Sequence, residues 1–294
     1  MSRITTGQMT LFLLRYAEVG LKSERIRSRF IGRMIENIEY SFLSSGSECI
    51  VTNDRGRIFV MTDDSEIGRK VISHTFGVVS FSEVVETAPE MESIVAEASL
   101  FASKHIREGT TFAIRARRSG GQKFTSQDVA RAAGGRILED YSDMHVTVDL
   151  DRPELEINIE VRERGAYIFA SSEEGPGGLP LGTQGKVACL MREERDAAAA
   201  WLVMRRGCDA VVCTTKNQDI GVLRKWNGKI EEARIEKEGD LFHTAVEHGC
   251  EGVALPWESA EIEEGIDKHG LAVFFPLAGM KREEVDSLLS RIRS

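Results

Sequence analysis

The chain has 294 residues, with 38 Lys and Arg against 47 Asp and Glu, giving a formal charge of −9. At about 100–200 residues per domain, this length implies two or three domains, and a composition with 41% hydrophobic residues and only 6 prolines excludes a long disordered tail. No run of about 18 apolar residues is present, which excludes a membrane-spanning helix. The N-terminus lacks a signal-peptide apolar core, so the expected location is the cytoplasm with no membrane partner.

The first segment reads β-α-β-β-α. Thr10 to Ala17 is an apolar strand, and Lys22 to Leu43 is a helix with a core stripe at Ile26, Phe30, Met34, Ile38 and Phe42. Cys49 to Thr52 and Arg57 to Met61 flank the turn cluster Asn53-Asp54-Arg55-Gly56 of a hairpin. Ser65 to Phe76 reads as a helix stopped by Gly77. These elements suit a ferredoxin-like α/β layer over 1–77. In 78–172, strands are expected at Val78–Thr87, Thr111–Ala116, His145–Leu150, Leu155–Val161 and Gly165–Ala170. Helices are expected at Glu90–Arg107 and Ser126–Tyr141, the second capped by Thr125 or Ser126.

Five glycines and two prolines within Gly175–Gly185, among them Gly177, Gly178 and Gly182, mark the clearest boundary in the chain. In 173–294, strands at Val187–Met191, Ala210–Thr214, Gly252–Leu255 and Leu271–Phe275 alternate with helices at Asp196–Arg206, Leu241–His248, Ser259–His269 and Glu283–Arg293. That rhythm predicts a doubly wound parallel sheet. Cys49, Cys189, Cys208, Cys213 and Cys250 are scattered singly, which fits packing thiols in a reducing compartment, although Cys189 and Cys213 fall on strands that can be neighbours. His243, His248 and Cys250 resemble a metal cluster, but an i,i+5 histidine pair falls on different helix faces, so no metal site is expected.

The charge is unevenly placed. Lys104 to Arg136 carries eight basic and two acidic residues, whereas 137–175 carries three basic and eleven acidic, and 228–294 eight and fifteen. Inside the basic segment, Arg115, Arg117 and Arg118 end a strand. A Ser119-Gly120-Gly121 turn then leads through Lys123 and Phe124 to a helix start at Ser126, with Arg131 one turn on. Guanidinium forks and a helix N-terminus both hold phosphates, an arrangement that grips a nucleic-acid backbone without reading bases. Charge alone leaves this reading level with a solvated basic turn.

Phe112-Ala113-Ile114-Arg115-Ala116-Arg117-Arg118-Ser119-Gly120, with Phe124, Ser126 and Asp128-Val129-Ala130, resembles the THUMP domain of tRNA-modifying enzymes. Arg15-Tyr16-Ala17-Glu18-Val19-Gly20-Leu21-Lys22, the Gly175–Thr183 stretch and Pro276–Glu284 are similar, in the same order, to segments of the tRNA 4-thiouridine synthetase (tRNA sulfurtransferase) family. The resemblance implies a ferredoxin-like domain, a THUMP domain and a shortened PP-loop-like domain, with tRNA as partner, a homodimeric assembly and a place in thiouridine biosynthesis. It also implies an RNA surface of Arg115, Arg117, Arg118, Lys123, Phe124, Ser126 and Arg131, joined by Arg15, Lys22 and Arg25.

The family's ATP-binding PP-loop carries Ser-Gly-Gly-x-Asp-Ser. Here the corresponding positions are Met191, Arg192, Glu193, Glu194, Arg195 and Asp196, and no glycine occurs between Gly185 and Gly207. Glycines let backbone N–H groups close on a pyrophosphate, and acidic side chains repel it. No catalytic residue and no cofactor are therefore assigned, and the four charged residues Arg192, Glu193, Glu194 and Arg195 are expected to pair at the helix start. The expected function is tRNA binding without independent adenylation. Two alternatives are an ATP- and magnesium-dependent sulfurtransferase using atypical residues or a partner subunit, and a scaffold holding another modification enzyme through the acidic C-terminal domain.

Overall fold

The computed structural model describes residues 9–216, 218–259 and 270–294. Two compact units emerge, and the chain passes between them several times. One takes the residues up to Leu14, Ile58–Asp63 and Phe81–Glu173; the other takes Arg15–Arg57, Asp64–Ser80 and Glu174–Ser294. No helix among the described residues is long and apolar enough to cross a membrane.

In chain order the elements begin β1 (Thr10–Arg15), α1 (Glu24–Ser44), β2 (Ile50–Asp54), β3 (Arg57–Thr62), α2 (Ser65–Ser73), β4 (Ser80–Thr87) and α3 (Met91–Ser103). They continue β5 (Thr111–Arg118), α4 (Ser126–Asp140), β6 (Thr147–Val148), β7 (Leu155–Val161), β8 (Ala166–Phe169) and β9 (Glu173–Glu174). In α1 the expected stripe is buried at Phe30, Met34, Ile38 and Phe42, but Ile26 is 39% exposed. It lies in the first turn, where the stripe starts before the helix has cover. Arg55 and Gly56 both take positive φ, 38° and 92°, as a tight hairpin turn between β2 and β3 requires.

In the first unit the strand order is β3-β1-β4-β8-β7-β5-β6. β5 and β7 run parallel, with Arg115 opposite Asn158 and Arg117 opposite Glu160, and β7 and β8 are antiparallel. Ile94, Ala98, Phe112, Val129, Ile137, Ile157 and Ile168 form one continuous core of α3, α4 and the sheet. β5 extends two residues past its expected end, so Arg117 and Arg118 belong to the strand. The alternating segment His145–Leu150 contributes only the two-residue β6.

The second unit carries β10 (Lys186–Met191), α5 (Ala197–Arg205), β11 (Asp209–Thr214), α6 (Gly221–Arg224), β12 (Glu231–Arg234), α7 (Leu241–Glu247), β13 (Gly252–Ala254), β14 (Ala272–Phe274) and α8 (Arg282–Arg293). Its sheet is all parallel in the order β12-β11-β10-β13-β14, the doubly wound topology. Apolar cores cover both faces, one around Trp201, Met204 and Trp226, the other around Leu190, Val211 and Leu241. Cys189 packs in the first and Cys213 in the second, so these thiols lie on opposite faces of the sheet despite being on adjacent strands. The expected helix Ser259–His269 lies almost wholly outside the described residues.

The Gly/Pro stretch is an ordered strap. Leu179 N donates to Arg205 O at 3.0 Å, Thr183 N to Gly207 O at 2.8 Å, and Arg205 Nε to Pro176 O at 2.8 Å. Gly177, Gly178 and Gly182 all have positive φ. At Gly178 a Cβ would lie 2.1 Å from Arg205 O, so both the space and the backbone conformation require glycine.

Candidate nucleic-acid interface

Along β5 successive side chains alternate in direction, which sets Arg115 and Arg117 on one face and Arg118 on the other. Arg115, Arg117, Ser126, Gln127 and Asn158 line a shallow cleft between β5, β7 and the start of α4. The arginines have different roles there. Arg115 is held inside the unit: its Nε donates to Glu156 Oε2 at 3.0 Å and its Nη2 to Leu150 O at 2.6 Å. Arg118 closes the turn on itself, donating through Nη1 to Gly120 O at 2.6 Å and Gln122 O at 3.2 Å. Arg117 and Lys123 are exposed and make no ion pair among the described residues. Arg131 is 78% exposed in its side chain and makes a long 3.4 Å contact with Asp128.

The turn is rigidly tied to β7. Ser119 N donates to Val161 O at 2.9 Å, and Gln122 Nε2 donates to Arg162 O at 2.7 Å. Phe124 packs against the core of α4 and the sheet, so its ring anchors the turn. Thr125 is the N-cap, and a reciprocal capping box joins it to Asp128: Asp128 N donates to Thr125 Oγ1 at 3.2 Å, and Thr125 N to Asp128 Oδ2 at 2.8 Å. Those hydrogen bonds from the Thr125 backbone and hydroxyl hold the Asp128 carboxyl below its ordinary range. The N–H groups of Ser126 and Gln127 have no intrahelical acceptor and stay available to an anion, but Asp128 already supplies a resident negative charge at this helix start. Gln127 and Asn158 were not legible as site residues, because only the β5–β7 register brings Asn158 opposite Arg115. Arg15, Lys22 and Arg25 lie on the second unit, with Lys22 and Arg25 exposed around the start of α1.

In a doubly wound sheet, ligands bind at the carboxyl ends of the strands where the order reverses, here between β10 and β13. The turn after β10 is laced by side chains. Arg192 donates through its backbone N and its Nε to Asp196 Oδ2 at 2.8 and 3.0 Å, and Asp196 is only 3% exposed. Arg195 reaches across the crevice to Glu258 Oε1 at 2.8 Å, and Glu194 accepts from Arg293 Nε at 2.8 Å. Gln218 Nε2 donates to Arg192 O at 2.9 Å. The expected pairing within Arg192, Glu193, Glu194 and Arg195 is replaced by a local pair of Arg192 with Asp196 and by two pairs to residues distant in the chain, Arg195 with Glu258 and Glu194 with Arg293. The loop beyond Met191 is filled by protein charges.

No thiol is poised as a nucleophile. Burial pushes Cys189 well above its ordinary range, Cys213 up to about 12 and Cys49, next to Glu39, up to about 11, and burial also raises Cys208 and Cys250. His243 pairs with Glu247 at 3.2 Å and His248 with Glu231 at 3.3 Å, so the two rings serve separate carboxylates.

Residues 11–82 match the ThiI ferredoxin-like domain and residues 88–170 match the THUMP domain, together more than half of the chain. The chain belongs with proteins that join a ThiI ferredoxin-like domain to a THUMP domain. A relative described as a probable tRNA sulfurtransferase, from Methanobrevibacter smithii, is 36% identical over 211 residues, which are 70% of this chain and 53% of the relative. The chain thus spans about half the length of the curated relatives it matches. Two solved structures share the fold. PH1313 from Pyrococcus horikoshii has a TM-score of 0.82 at 24% identity, covering 96% of this chain and 99% of that one. A 4-thiouridine synthetase, solved with RNA and ATP, has a TM-score of 0.76 at 21% identity, covering 97% and 85%.

Proposed function

We propose that this family member binds tRNA on the β5–α4 turn and does not adenylate it unaided. The observation carrying the first part is that Arg117 at the end of β5 and Lys123 on the turn stand exposed with no ion pair among the described residues, whereas their neighbours Arg115 and Arg118 are engaged by internal acceptors. Two cations with no internal partner, on a backbone tied to β7, take phosphates without first breaking an ion pair. The curated relatives' description as tRNA sulfurtransferases and the RNA complex of the 4-thiouridine synthetase support tRNA as the ligand.

The second part rests on the crevice beyond β10. Its residues do not fit a triphosphate: the cradle has no glycine, Glu193 and Glu194 add negative charge, and Arg195 is engaged by Glu258 across the gap. Admitting a nucleotide would break that ion pair and leave carboxylates facing phosphates. The thiols bear on the separate sulfur step: burial disfavours the thiolate at Cys189 and Cys213, which favours no sulfur-carrying role for them at neutral pH.

The test is titration of the full chain with folded tRNA, with a parallel titration with ATP and magnesium. Arg117→Ala/Lys123→Ala is expected to weaken tRNA binding at least about tenfold, from roughly 1 kcal/mol or more per lost charge-assisted contact. ATP is expected to show no saturation up to about 1 mM. Unchanged tRNA affinity in the double variant overturns the site, and micromolar ATP binding overturns the second part.

A further inference from the structure

At the opposite end of the parallel sheet, where β10 and β11 begin, the second unit encloses a cavity of about 240 Å³. Arg33 and Tyr40 from α1, His74 after α2, Asp209 at the start of β11, Trp226 and Lys229 line it. Pockets for drug-sized ligands span about 300–1,000 Å³, so this one suits a single planar group. Its cations are already engaged. Lys186 Nζ lies 2.6 Å from Glu231, Arg33 Nη1 lies 3.0 Å from Glu36, and Lys229 Nζ sits 3.9 Å over the Tyr40 ring.

Two of its acceptors are not engaged. Among the described residues the Asp209 carboxylate makes no hydrogen bond or ion pair, and burial raises its pKa. The Nδ1 of His74 is 2.8 Å from Lys70 O, so Nδ1 carries the proton and Nε2 is an acceptor. That Nε2 is buried without a partner, and burial keeps the ring neutral. Gly182 keeps the carboxylate accessible, because a Cβ there would stand 3.2 Å from Asp209 Oδ2. Two unpaired acceptors between aromatic walls call for a flat ligand with adjacent N–H donors. The positive charge of Arg33, Lys186 and Lys229 near the carboxylate disfavours a cationic ligand.

We propose that this cavity binds a guanine base, with Asp209 accepting from its N1–H and 2-amino groups. Adenine would turn a lone pair toward the same carboxylate, so the site discriminates between the purines. The proposal is independent of tRNA binding on the β5–α4 turn, because the cavity lies wholly in the second unit.

Calorimetric titration of the full chain with 5′-GMP and 5′-AMP tests it. GMP is expected to bind at least tenfold more tightly than AMP. Asp209→Asn is expected to lose GMP at least tenfold and to gain xanthosine 5′-monophosphate, whose N1–H and C2 carbonyl match an amide. Competition by an RNA trinucleotide ending in guanosine identifies RNA as the source of the base, and failure to compete identifies the free nucleotide. Equal binding of GMP and AMP, or unchanged GMP affinity in Asp209→Asn, overturns the proposal; the first comparison needs no variant.

Discussion

Gly178 shows how a single residue sets the path of the strap. Its φ of +75° is one that an L side chain adopts at a cost of about 1–2 kcal/mol, and the added Cβ would sit 2.1 Å from a backbone oxygen that cannot swing away. Gly178→Ala is therefore expected to destabilise the protein by about 2 kcal/mol or more. Gly32, inside α1, has ordinary φ and nothing within 4 Å of its would-be Cβ. Gly32→Ala is expected to stabilise by about 0.5–1 kcal/mol through helix propensity. Thermal denaturation of both variants checks this contrast, and a neutral Gly178→Ala would show that the strap can shift. The sequence set Gly178 in a turn-rich boundary and Gly32 in a helix, but the Arg205 carbonyl that closes on Gly178 lies 27 residues away, where no local pattern shows it.

At the scale of elements, the start of α4 combines folding and binding. Thr125 satisfies the N–H of Asp128, and the Asp128 carboxylate returns to the Thr125 N–H and hydroxyl. A carboxyl held below its ordinary range in the folded state contributes stability above the unfolded value of about 3.9, and that contribution is lost as pH falls through the folded value. Thr125→Ala removes the hydroxyl partner. It is expected to cost about 1 kcal/mol at pH 7 and to flatten part of the acid limb of stability below about pH 4, the bond from the Thr125 backbone N–H being kept. Denaturant melts at pH 7 and pH 3 measure both effects; an acid limb as steep as in the parent would show that the hydroxyl does not help to hold the carboxyl down. This helix, its cap and the buried strands of both sheets were legible because apolar period and capping residues are local signals. β12 was not: Glu-Glu-Ala-Arg carries no apolar alternation, and it is a strand only because β11 offers it a parallel edge. The Arg115–Glu156 pair was hidden for the same reason, since it exists only once β5 and β7 are in register.

For the whole molecule, a formal charge of −9 has to be reconciled with the proposed polyanionic ligand. Screening extends about 10 Å at 0.1 M salt, so the basic turn acts through its own neighbourhood rather than through the net charge. The acidic stretch that follows α4 likewise acts on its own neighbourhood. Asp143 and Asp151 are exposed and make no ion pair among the described residues, so they repel any RNA that approaches their unit without docking on the turn. Such repulsion lowers binding to arbitrary RNA more than binding to a ligand fixed by direct contacts, which makes it a device for selectivity. Asp143→Asn/Asp151→Asn is therefore expected to raise affinity for a uridine homopolymer several-fold at about 0.05 M salt, with a smaller gain for folded tRNA. At about 0.5 M salt both gains should vanish as the field is screened. Fluorescence titrations of the two RNAs at the two salt concentrations check this. Equal gains for tRNA and homopolymer would mean that the acidic stretch sets only overall charge, and a gain that persists at high salt would mean that the aspartates act through contact rather than through their field.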